Sequence, residues 1–442
     1  MSAEHAHRLA NRILLGLGVG VTLGALTLAL GNRNPELLAH TRAFSTAVLD
    51  PLGRVFLHLL FFVVVPLIFA SLALGIVQLG SLDRLGPLAV RTAVLFTFNM
   101  AIGVGIGLVA MGVVRPGDTL APEIKAQLLA EHGGGAARIL DARSSEAAIT
   151  FSMLVDMFFP RNLARAVVDF QVLPLITFAL LVGVAGTQLK DSQRRKLQEG
   201  LEMVTTLMTH LVHYALQLAP LAVPAMIFSV VVRLGHDVLV ALAAFAAVCL
   251  GAMAIHLFGT MSLCLRLLTR RRPLQFFRDI RTVLVTAFST SSSNATLPTS
   301  MQVGREQLGL SPGTVGFVLP LGATMNMSGT ALYEGCVVLF VAQVYGVPLG
   351  VGSQVTLLVL AVLSAVAVAG IPGASLPLIA GLLTTFQVPA EGIALVLGLD
   401  RLLDMARTAL NVGADLVVAA VVDERVVAEA AGASPPADSS SG

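Results

Sequence analysis

The chain has 442 residues, of which 56% are hydrophobic and 12% are charged, and its formal net charge is +2. Soluble domains carry about 25% charged residues, so this composition excludes an ordinary soluble domain. The chain contains no Trp, and its basic residues are not interleaved with aromatic ones, so no nucleic-acid partner is expected.

Long apolar runs predict a helical protein whose partner is the lipid bilayer. The runs at 13–30, 55–79, 93–114 and 238–265 match the about 20 residues that a helix needs to cross a bilayer. Backbone polar groups cannot face lipid unpaired, and the runs lack the alternation of barrel strands, so helices are expected. No cleavable signal is evident, and the first run is interpreted as a transmembrane helix.

Basic residues predict the orientation of these spans. They precede the first span and follow every second one, which is typical of cytoplasmic loops, so both termini are expected inside the cell. The segment 116–149 then forms an external loop. The tail after Arg425 is rich in Ala, Ser, Pro and Gly and is expected to be disordered. The orienting basic residues are Arg8, Arg12, Arg84, Arg91, Lys190, Arg194, Arg195, Lys196, Arg270, Arg271 and Arg272.

The first polar tract of the C-terminal half lies at 289–298. Its residues up to Thr296 are small or polar and uncharged, and Pro298 closes it, a composition that ends a helix. At membrane depth such a tract must be buried in protein or line a cavity. The alternative is a plain loop outside the membrane.

A second cluster, 322–330, lies inside the apolar stretch 315–344 and is followed by Tyr333 and Glu334. Small polar residues and Gly predict a locally unwound helix whose carbonyl oxygens can bind a cation. The alternative is close helix packing through small residues. Glu334 favours the first interpretation, because a carboxyl group at membrane depth is costly.

A third tract, 369–375, divides the apolar region 355–383 into halves that are each too short to span. The tract at 289–298 divides its own region in the same way. Two broken segments, one before and one after an unwound helix, are typical of an inverted-repeat transporter with a binding site at the bilayer midplane.

The strongest signal is a polar stripe in the apolar segment 395–422. At about 100° per residue, its members fall within about 80° of one another on a helix. Each charge facing lipid would cost at least about 2.5–3.5 kcal/mol, so the stripe is expected to face protein. The alternative is a structural ion-pair helix, and Asp404 and Arg407 have the spacing of such a pair. The stripe contains Asp400, Asp404, Arg407, Asn411 and Asp415.

These four clusters, in this order, resemble the dicarboxylate/amino acid:cation symporters, the glutamate transporter family. The matching motifs are TSSSNATLP, GATMNMSGTALYEG, AGIPGAS and LGLDRLLDMARTALNVGADL, and weaker similarity covers nearly the whole chain. The resemblance implies an all-α polytopic membrane protein of the bacterial inner membrane. It implies a homotrimer with eight transmembrane helices and two re-entrant helical hairpins per protomer, working by an elevator mechanism.

The resemblance also divides the chain into a fixed and a moving part. A scaffold is expected from spans 1 and 2 (1–84) and from the external loop with spans 4 and 5 (118–235). A transport domain is expected from span 3 (85–117) and from 236–425, which holds span 6, the first hairpin, span 7, the second hairpin and span 8. Residues 426–442 form the disordered cytoplasmic tail.

The motifs assign a substrate site by resemblance. Arg407 matches the arginine that pairs with the substrate side-chain carboxylate, and its planar fork suits that role. Asp404 matches the carboxylate that holds the substrate ammonium. Members for neutral substrates lack the arginine's charge, and succinate-type members lack the ammonium partner, so glutamate or aspartate is the expected substrate. Further substrate contacts are implied at Thr408, Asn411, Ser291, Ser293, Thr330 and Gly373.

The resemblance implies coupling-cation sites that this sequence keeps in part. The first sodium site is matched by Gly322, Asn326, Asn411 and Asp415. The second is mostly main chain, around Thr324 and Met327 and near the carbonyl groups of 365–368. The third needs an acidic residue where this chain has Ser328.

The third cation site is expected to be lost. In span 3, Phe96, Asn99 and Met100 replace the oxygen-bearing partners of the acidic residue, and a hard cation needs oxygen ligands. Glu334, in contrast, stands where proton-carrying members have Glu and archaeal sodium-coupled members have Gln. A carboxyl group shielded from water can exchange a proton near neutral pH. Coupling is therefore expected to use protons through Glu334 with fewer sodium ions, and no cofactor beyond Na⁺ as a coupling ion.

The family often carries one more arginine, either at the first hairpin or beside the Asp404 position. Here these places hold Ser291 and Met405. Arg401 lies one helical turn before Met405 and is expected to stand in for the missing arginine.

Other function classes stay open from the sequence. A C4-dicarboxylate symporter and an anion-conducting, channel-like member are the alternatives within the same fold. An intramembrane protease is disfavoured, because Asp400 and Asp404 lie on one helix beside Arg407 and the nearest His to the serine tract in sequence is His256. The chain is not expected to be an enzyme.

Overall fold

A computed structural model describes residues 3–31, 34–80, 86–120, 125, 159–168, 172–368 and 375–432. Within these ranges every regular element is helical, so the predicted all-α class is confirmed. Most of the predicted external loop, the tract 369–374 with Gly373, and the last residues 433–442 lie outside the described residues.

The described part of the N-terminal half contains, besides its α-helices, a π-helical turn at Ser45–Leu49 and a 3₁₀ turn at Pro116–Thr119. They are α1 (Ala3–Gly31), α2 (Pro35–Phe44), α3 (Asp50–Phe62), α4 (Val64–Gly80), α5 (Gly86–Val114), α6 (Leu163–Val168), α7 (Val172–Thr187) and α8 (Asp191–Leu234).

The C-terminal half has shorter and more interrupted helices, with a π-helical turn at Ile255–Thr260 and a 3₁₀ turn at Ala390–Gly392. They are α9 (His236–Ala254), α10 (Met261–Leu268), α11 (Pro273–Asp279), α12 (Arg281–Thr290), α13 (Ser293–Glu306), α14 (Pro312–Met325), α15 (Ser328–Tyr345), α16 (Val351–Ala367), α17 (Leu376–Thr385) and α18 (Ile393–Gly432).

Several helical stretches are long and apolar enough to cross a membrane. Helix α8 is bent between Val212 and Gln217, and its two parts together would form one further span. Shorter apolar helices lie in α1, α4, α7 and α16. The protein is therefore a multi-pass helical membrane protein. The long stretches in the described part of the chain are Val90–Thr119, Asp237–Leu268, Pro312–Tyr345 and Ala390–Glu424.

The second predicted span is divided in the structure. The apolar run 55–79 is split at Val63 into α3 and α4. Pro66 explains the break, because its ring clashes with the carbonyl group four residues earlier, at Phe62, and it has no N–H to donate.

Helix α15 forms the centre of the C-terminal half. Every one of its residues is buried, and it packs against α5, α16 and α18. A helix that is enclosed on all sides cannot present a polar residue to solvent or lipid. Each polar side chain of α15 must therefore meet protein, and this applies to Thr330, Tyr333 and Glu334.

Two breaks in helical structure bring backbone groups to the same region. Between α12 and α13, Ser291 adopts a left-handed conformation with φ of 49°, and the hydroxyl of Ser292 caps α13 by accepting from the N–H of Ala295 at 3.2 Å. The second break lies between α14 and α15, where Asn326 and Met327 are not helical, as the cluster 322–330 predicted.

Two boundaries differ from the sequence prediction. Pro298 lies inside α13, because the left-handed Ser291 has already ended the preceding helix. Helix α18 continues to Gly432, so residues 426–432, assigned by sequence to a disordered tail, are helical.

Candidate functional site

The polar stripe of α18 lies inside the protein. Asp400 is the most exposed of its five members, at 5%. Burial of this many charges requires pairing among them or with neighbouring helices, because an unpaired buried charge is strongly destabilising. The structure supplies partners within the stripe itself, in the break between α14 and α15, and on α15.

Arg407 is the centre of a buried ion-pair network. Its Nε and Nη2 atoms lie 2.8 Å and 2.7 Å from Oδ1 of Asp404, and its Nη1 lies 3.2 Å from Oδ1 of Asp400. The guanidinium carbon also lies 4.7 Å from the centre of the Tyr333 ring, within the range of a cation–π contact. The predicted Asp404–Arg407 pair is thus formed, and Asp400 joins it.

Asn411 links the stripe to the start of α15. Its Oδ1 accepts from the backbone N–H of Gly329 at 2.7 Å, and its Nδ2 lies 3.3 Å from Oγ1 of Thr330 and 3.3 Å from Sδ of Met327. Helices α15 and α18 approach very closely here, since a Cβ atom at Gly329 would stand 2.5 Å from the carbonyl oxygen of Arg407. Only glycine permits this approach.

A second set of contacts surrounds Asp415. Its Oδ1 accepts from Nδ2 of Asn326 at 2.8 Å, and Oδ1 of Asn326 accepts from Nδ2 of Asn99 at 2.9 Å. A Cβ atom at Gly322 would lie 2.5 Å from the Asp415 carboxylate. Three of the predicted cation ligands, Gly322, Asn326 and Asp415, are therefore in contact. The fourth, Asn411, lies one helical turn before Asp415 on α18.

The remaining predicted cation residues behave differently. Met327 lies in the non-helical break and contacts Asn411. The side chain of Thr324 is exposed, and its hydroxyl donates to the carbonyl of Leu321 in its own helix. The predicted second cation site uses the backbone oxygens around Thr324, so the outward orientation of its side chain does not affect that prediction. Among the described residues, no group of three His, Cys, Asp or Glu side chains could hold a metal ion.

A small polar cavity lies where these elements converge. It is bounded by the turn after α12, the break before α15, the end of α16, the start of α17 and the stripe of α18. Every described residue of the predicted substrate site lines it, and Gly373 lies outside the described residues. Val368 and Ser375, which border the tract 369–374, and Met327 complete the lining. The lining residues are Ser291, Ser293, Met327, Thr330, Val368, Ser375, Asp404, Arg407, Thr408 and Asn411.

Sequence reasoning did not assign Ser375 or Val368 to the substrate cavity. The signal was present, because Ser375 ends the Gly- and Pro-containing tract 369–375 that divides the apolar region, and Val368 directly precedes it. It likewise did not predict that Asn99 holds Asn326, since residues 227 positions apart meet only through tertiary packing.

Glu334 is fully buried on α15, next to the hydroxyl of Ser364 on α16. Neither carboxyl oxygen has a hydrogen-bond partner within the described ranges. Glu334 does not line the cavity, but it follows Tyr333, whose ring packs on Arg407. Full burial of a carboxyl group in these surroundings is costly, because its desolvation is only weakly offset.

Two of the residues at the predicted third cation site carry buried apolar side chains. Phe96 and Met100 belong to the two large hydrophobic clusters. Oγ of Ser328 and Oδ1 of Asn99 are buried and lack a hydrogen-bond partner among the residues that the structure describes.

Comparison with known proteins gives matches over almost the entire chain. The model of the sodium:dicarboxylate symporter family matches residues 9–425. The "Proton/sodium-glutamate symport protein" of Bacillus caldotenax is 28% identical over 419 residues, which is 94% of each chain.

Two further relatives carry different substrate names. The "Proton/glutamate-aspartate symporter" of Escherichia coli is 28% identical over 417 residues, covering 94% of this chain and 92% of that protein. The "Neutral amino acid transporter B(0)" of Homo sapiens is 32% identical over 446 residues, covering 94% of this chain and 78% of that protein.

Proposed function

Because the chain belongs to the sodium:dicarboxylate symporter family, and is thus a transporter and not an enzyme, we propose that it is a secondary active symporter for acidic amino acids, glutamate or aspartate, driven by cations. The observation that carries this proposal is the buried Arg407 in the wall of the cavity. A guanidinium binds a carboxylate with two parallel hydrogen bonds. A substrate with a neutral side chain would offer Arg407 no such carboxylate.

The cavity offers one partner for each charged group of an acidic amino acid. The side-chain carboxylate would bind Arg407, and the ammonium would bind Asp404. The α-carboxylate would lie at Ser291 and Ser293, where α13 begins, because free N–H groups and the helix dipole favour an anion at a helix N-terminus. Thr330, Thr408, Asn411 and Gly373 would complete the site.

Substrate binding would replace contacts that the protein makes internally. The ammonium takes over the position at Asp404 that Arg407 occupies, and Arg407 turns to the incoming carboxylate. Because one ion pair replaces another of similar strength, the exchange avoids an unpaired buried charge, which would be costly.

The coupling ions would bind beside the substrate. Gly322, Asn326, Asn411 and Asp415 supply a carboxylate, amide and backbone oxygens, the ligand types that suit a hard cation such as Na⁺. Thr324 and Met327 would contribute main-chain oxygens to a second site. Glu334 would carry a proton. The third site has Ser328 in place of an acidic residue and apolar side chains at Phe96 and Met100, which argues for fewer sodium ions than in sodium-only relatives. Two relatives are named as proton/sodium-glutamate or proton/glutamate-aspartate symporters.

The same proposal covers the architecture and location. The protein would be a homotrimer in a bacterial inner membrane, with cytoplasmic termini, eight spans and two re-entrant hairpins near Ser293 and Pro372. The transport domain (85–117 and 236–425) would move past the scaffold (1–84 and 118–235) as an elevator.

The alternatives to this proposal are two other substrate classes and a channel-like function. Neutral amino acids are the named substrates of the human relative, but they would leave Arg407 without a ligand carboxylate. A C4-dicarboxylate would satisfy Arg407 and leave Asp404 without an ammonium. An anion-conducting, channel-like function would show itself as current without substrate accumulation.

The test is uptake by the purified protein in liposomes. Labelled aspartate or glutamate is offered with a sodium gradient, a proton gradient or both, and unlabelled alanine and succinate serve as competitors. Concentrative uptake that aspartate or glutamate blocks far better than alanine supports the proposal. A substrate-independent current without uptake would overturn it in favour of the channel, and stronger competition by alanine would favour a neutral substrate.

A further inference from the structure

Asp404 contacts a second arginine in addition to Arg407. Nη1 of Arg401 lies 3.5 Å from Oδ2 of Asp404, while Arg407 binds Oδ1. The carboxylate is therefore held between two guanidinium groups, three residues before it and three residues after it on α18. The two contacts use different oxygens, so both can exist at once.

Arg401 belongs to the interior of the protein. The whole residue is 9% exposed, and its Nε atom is buried without a hydrogen-bond partner within the described ranges. An arginine in this position cannot act as a solvated surface charge, so its field reaches Asp404 with little screening. Arg401 does not line the cavity, and it can act on a ligand only through Asp404 and through its field.

The two arginines have different consequences for ligands with and without an ammonium group. An ammonium bound at Asp404 competes with Arg401 for Oδ2 and is repelled by it. A ligand that lacks the ammonium leaves Arg401 as the group that neutralises Asp404 once Arg407 turns to the ligand carboxylate. An unpaired Asp404 would otherwise be strongly unfavourable in this buried place.

We infer that Arg401 is a specificity-determining positioning residue, which keeps Asp404 neutralised and so lowers the discrimination between acidic amino acids and ammonium-free dicarboxylates. The inference rests on the proposed function and adds to it a role for a residue outside the cavity. It predicts that removing Arg401 makes the site more selective for amino acids.

The experiment compares two ligands that differ by one group. Succinate has the carbon skeleton of aspartate without the ammonium. The full chain in liposomes takes up labelled aspartate at low concentration, and unlabelled aspartate and succinate are titrated as competitors. The ratio of the two half-inhibiting concentrations is measured for the wild type, Arg401→Met and Arg401→Lys, with Arg271→Met as the control. Arg271 donates to the carbonyl of Leu308 and does not line the cavity.

The succinate-to-aspartate ratio is expected to rise at least about tenfold in Arg401→Met, which corresponds to about 1.4 kcal/mol. Arg401→Lys retains the charge and is expected to keep the ratio close to that of the wild type, as is Arg271→Met. If Arg401→Met does not fold, Arg401→Gln removes the charge with a polar side chain, and the same rise is expected.

Two results would be negative, and they can be told apart. An unchanged or lower ratio in a charge-removing variant that still takes up aspartate overturns the role of Arg401 and leaves the proposed function intact. A wild-type protein that takes up no acidic amino acid overturns the proposed function, and the inference falls with it.

Discussion

Gly322 and the carboxylate of Asp415 are in direct contact, since a Cβ atom at Gly322 would stand 2.5 Å from Oδ1 and 2.6 Å from Cγ of Asp415. Helix α14 thus meets α18 at a residue without a side chain. The same Oδ1 accepts a hydrogen bond from Asn326. The glycine therefore decides where this carboxylate can lie.

Substitution of Gly322 by Ala is expected to weaken sodium coupling. The methyl group forces the Asp415 carboxylate out of its hydrogen bond with Asn326, so the sodium concentration for half-maximal uptake should rise by at least about tenfold. Gly316→Ala is the matched control, because α14 leaves open space at Gly316. Equal sodium dependence in both variants would contradict a cation site at Asp415.

Substitution of Gly329 by Ala is expected to destabilise the protein. The added Cβ would lie 2.5 Å from a backbone oxygen and 2.9 Å from the Cα of Arg407, and backbone atoms cannot rotate away. Overpacking of this kind costs about 1–3 kcal/mol. Thermal unfolding of the purified protein should show a lower midpoint than in Gly105→Ala, which has open space on α5. A midpoint equal to that of the control would mean that α15 and α18 separate easily.

Replacement of Arg407 by Lys is expected to abolish aspartate binding although the positive charge is kept. The guanidinium contacts Asp400 and Asp404 with separate nitrogens, and a lysine cannot reproduce this fork. Binding of labelled aspartate should weaken by at least about 100-fold, or about 2.8 kcal/mol, whereas Arg271→Lys should bind normally. Retained affinity in Arg407→Lys would argue against a bidentate carboxylate site.

The two aspartates that pair with Arg407 are expected to differ in function. Asp404 lines the cavity, whereas Asp400 does not. Asp404→Asn removes the partner of the substrate ammonium and should weaken aspartate binding by at least about 100-fold. Asp400→Asn should have a clearly smaller effect on affinity. Competition binding measures both, and equal losses would indicate that Asp404 serves only to hold Arg407.

Replacement of Glu334 by Gln is expected to remove the dependence of uptake on the pH gradient. The amide keeps the shape of the side chain but cannot bind and release a proton. Uptake of labelled aspartate is measured with a proton gradient alone and with sodium alone. Glu306→Gln is the matched control, because Glu306 is exposed at the end of α13 and contacts Gln302 there. Full dependence on the pH gradient in Glu334→Gln would exclude this residue as the proton carrier.

Several features could be predicted because their cause is local. The period of helix α18 alone aligned Asp404, Arg407 and Asn411 on one face, and the high cost of lipid-exposed charge required that face to be buried. The break at Asn326 and Met327 likewise followed from small polar residues within an apolar stretch. The split of the second span at Val63 was missed, although Pro66 gave a local reason for it.

The sequence by itself determined the helical membrane class, the family resemblance and the identity of the polar residues at the cavity, because periodicity, apolar length and motif are properties of neighbouring positions. Only the tertiary structure decided which of those residues touch. The link from Asn99 to Asn326 and Asp415, the burial of Glu334 beside Ser364 and the second arginine on Asp404 depend on how helices pack and which rotamers they allow. Spacing along the chain fixes the face of a helix on which a side chain lies, but packing decides what it meets there.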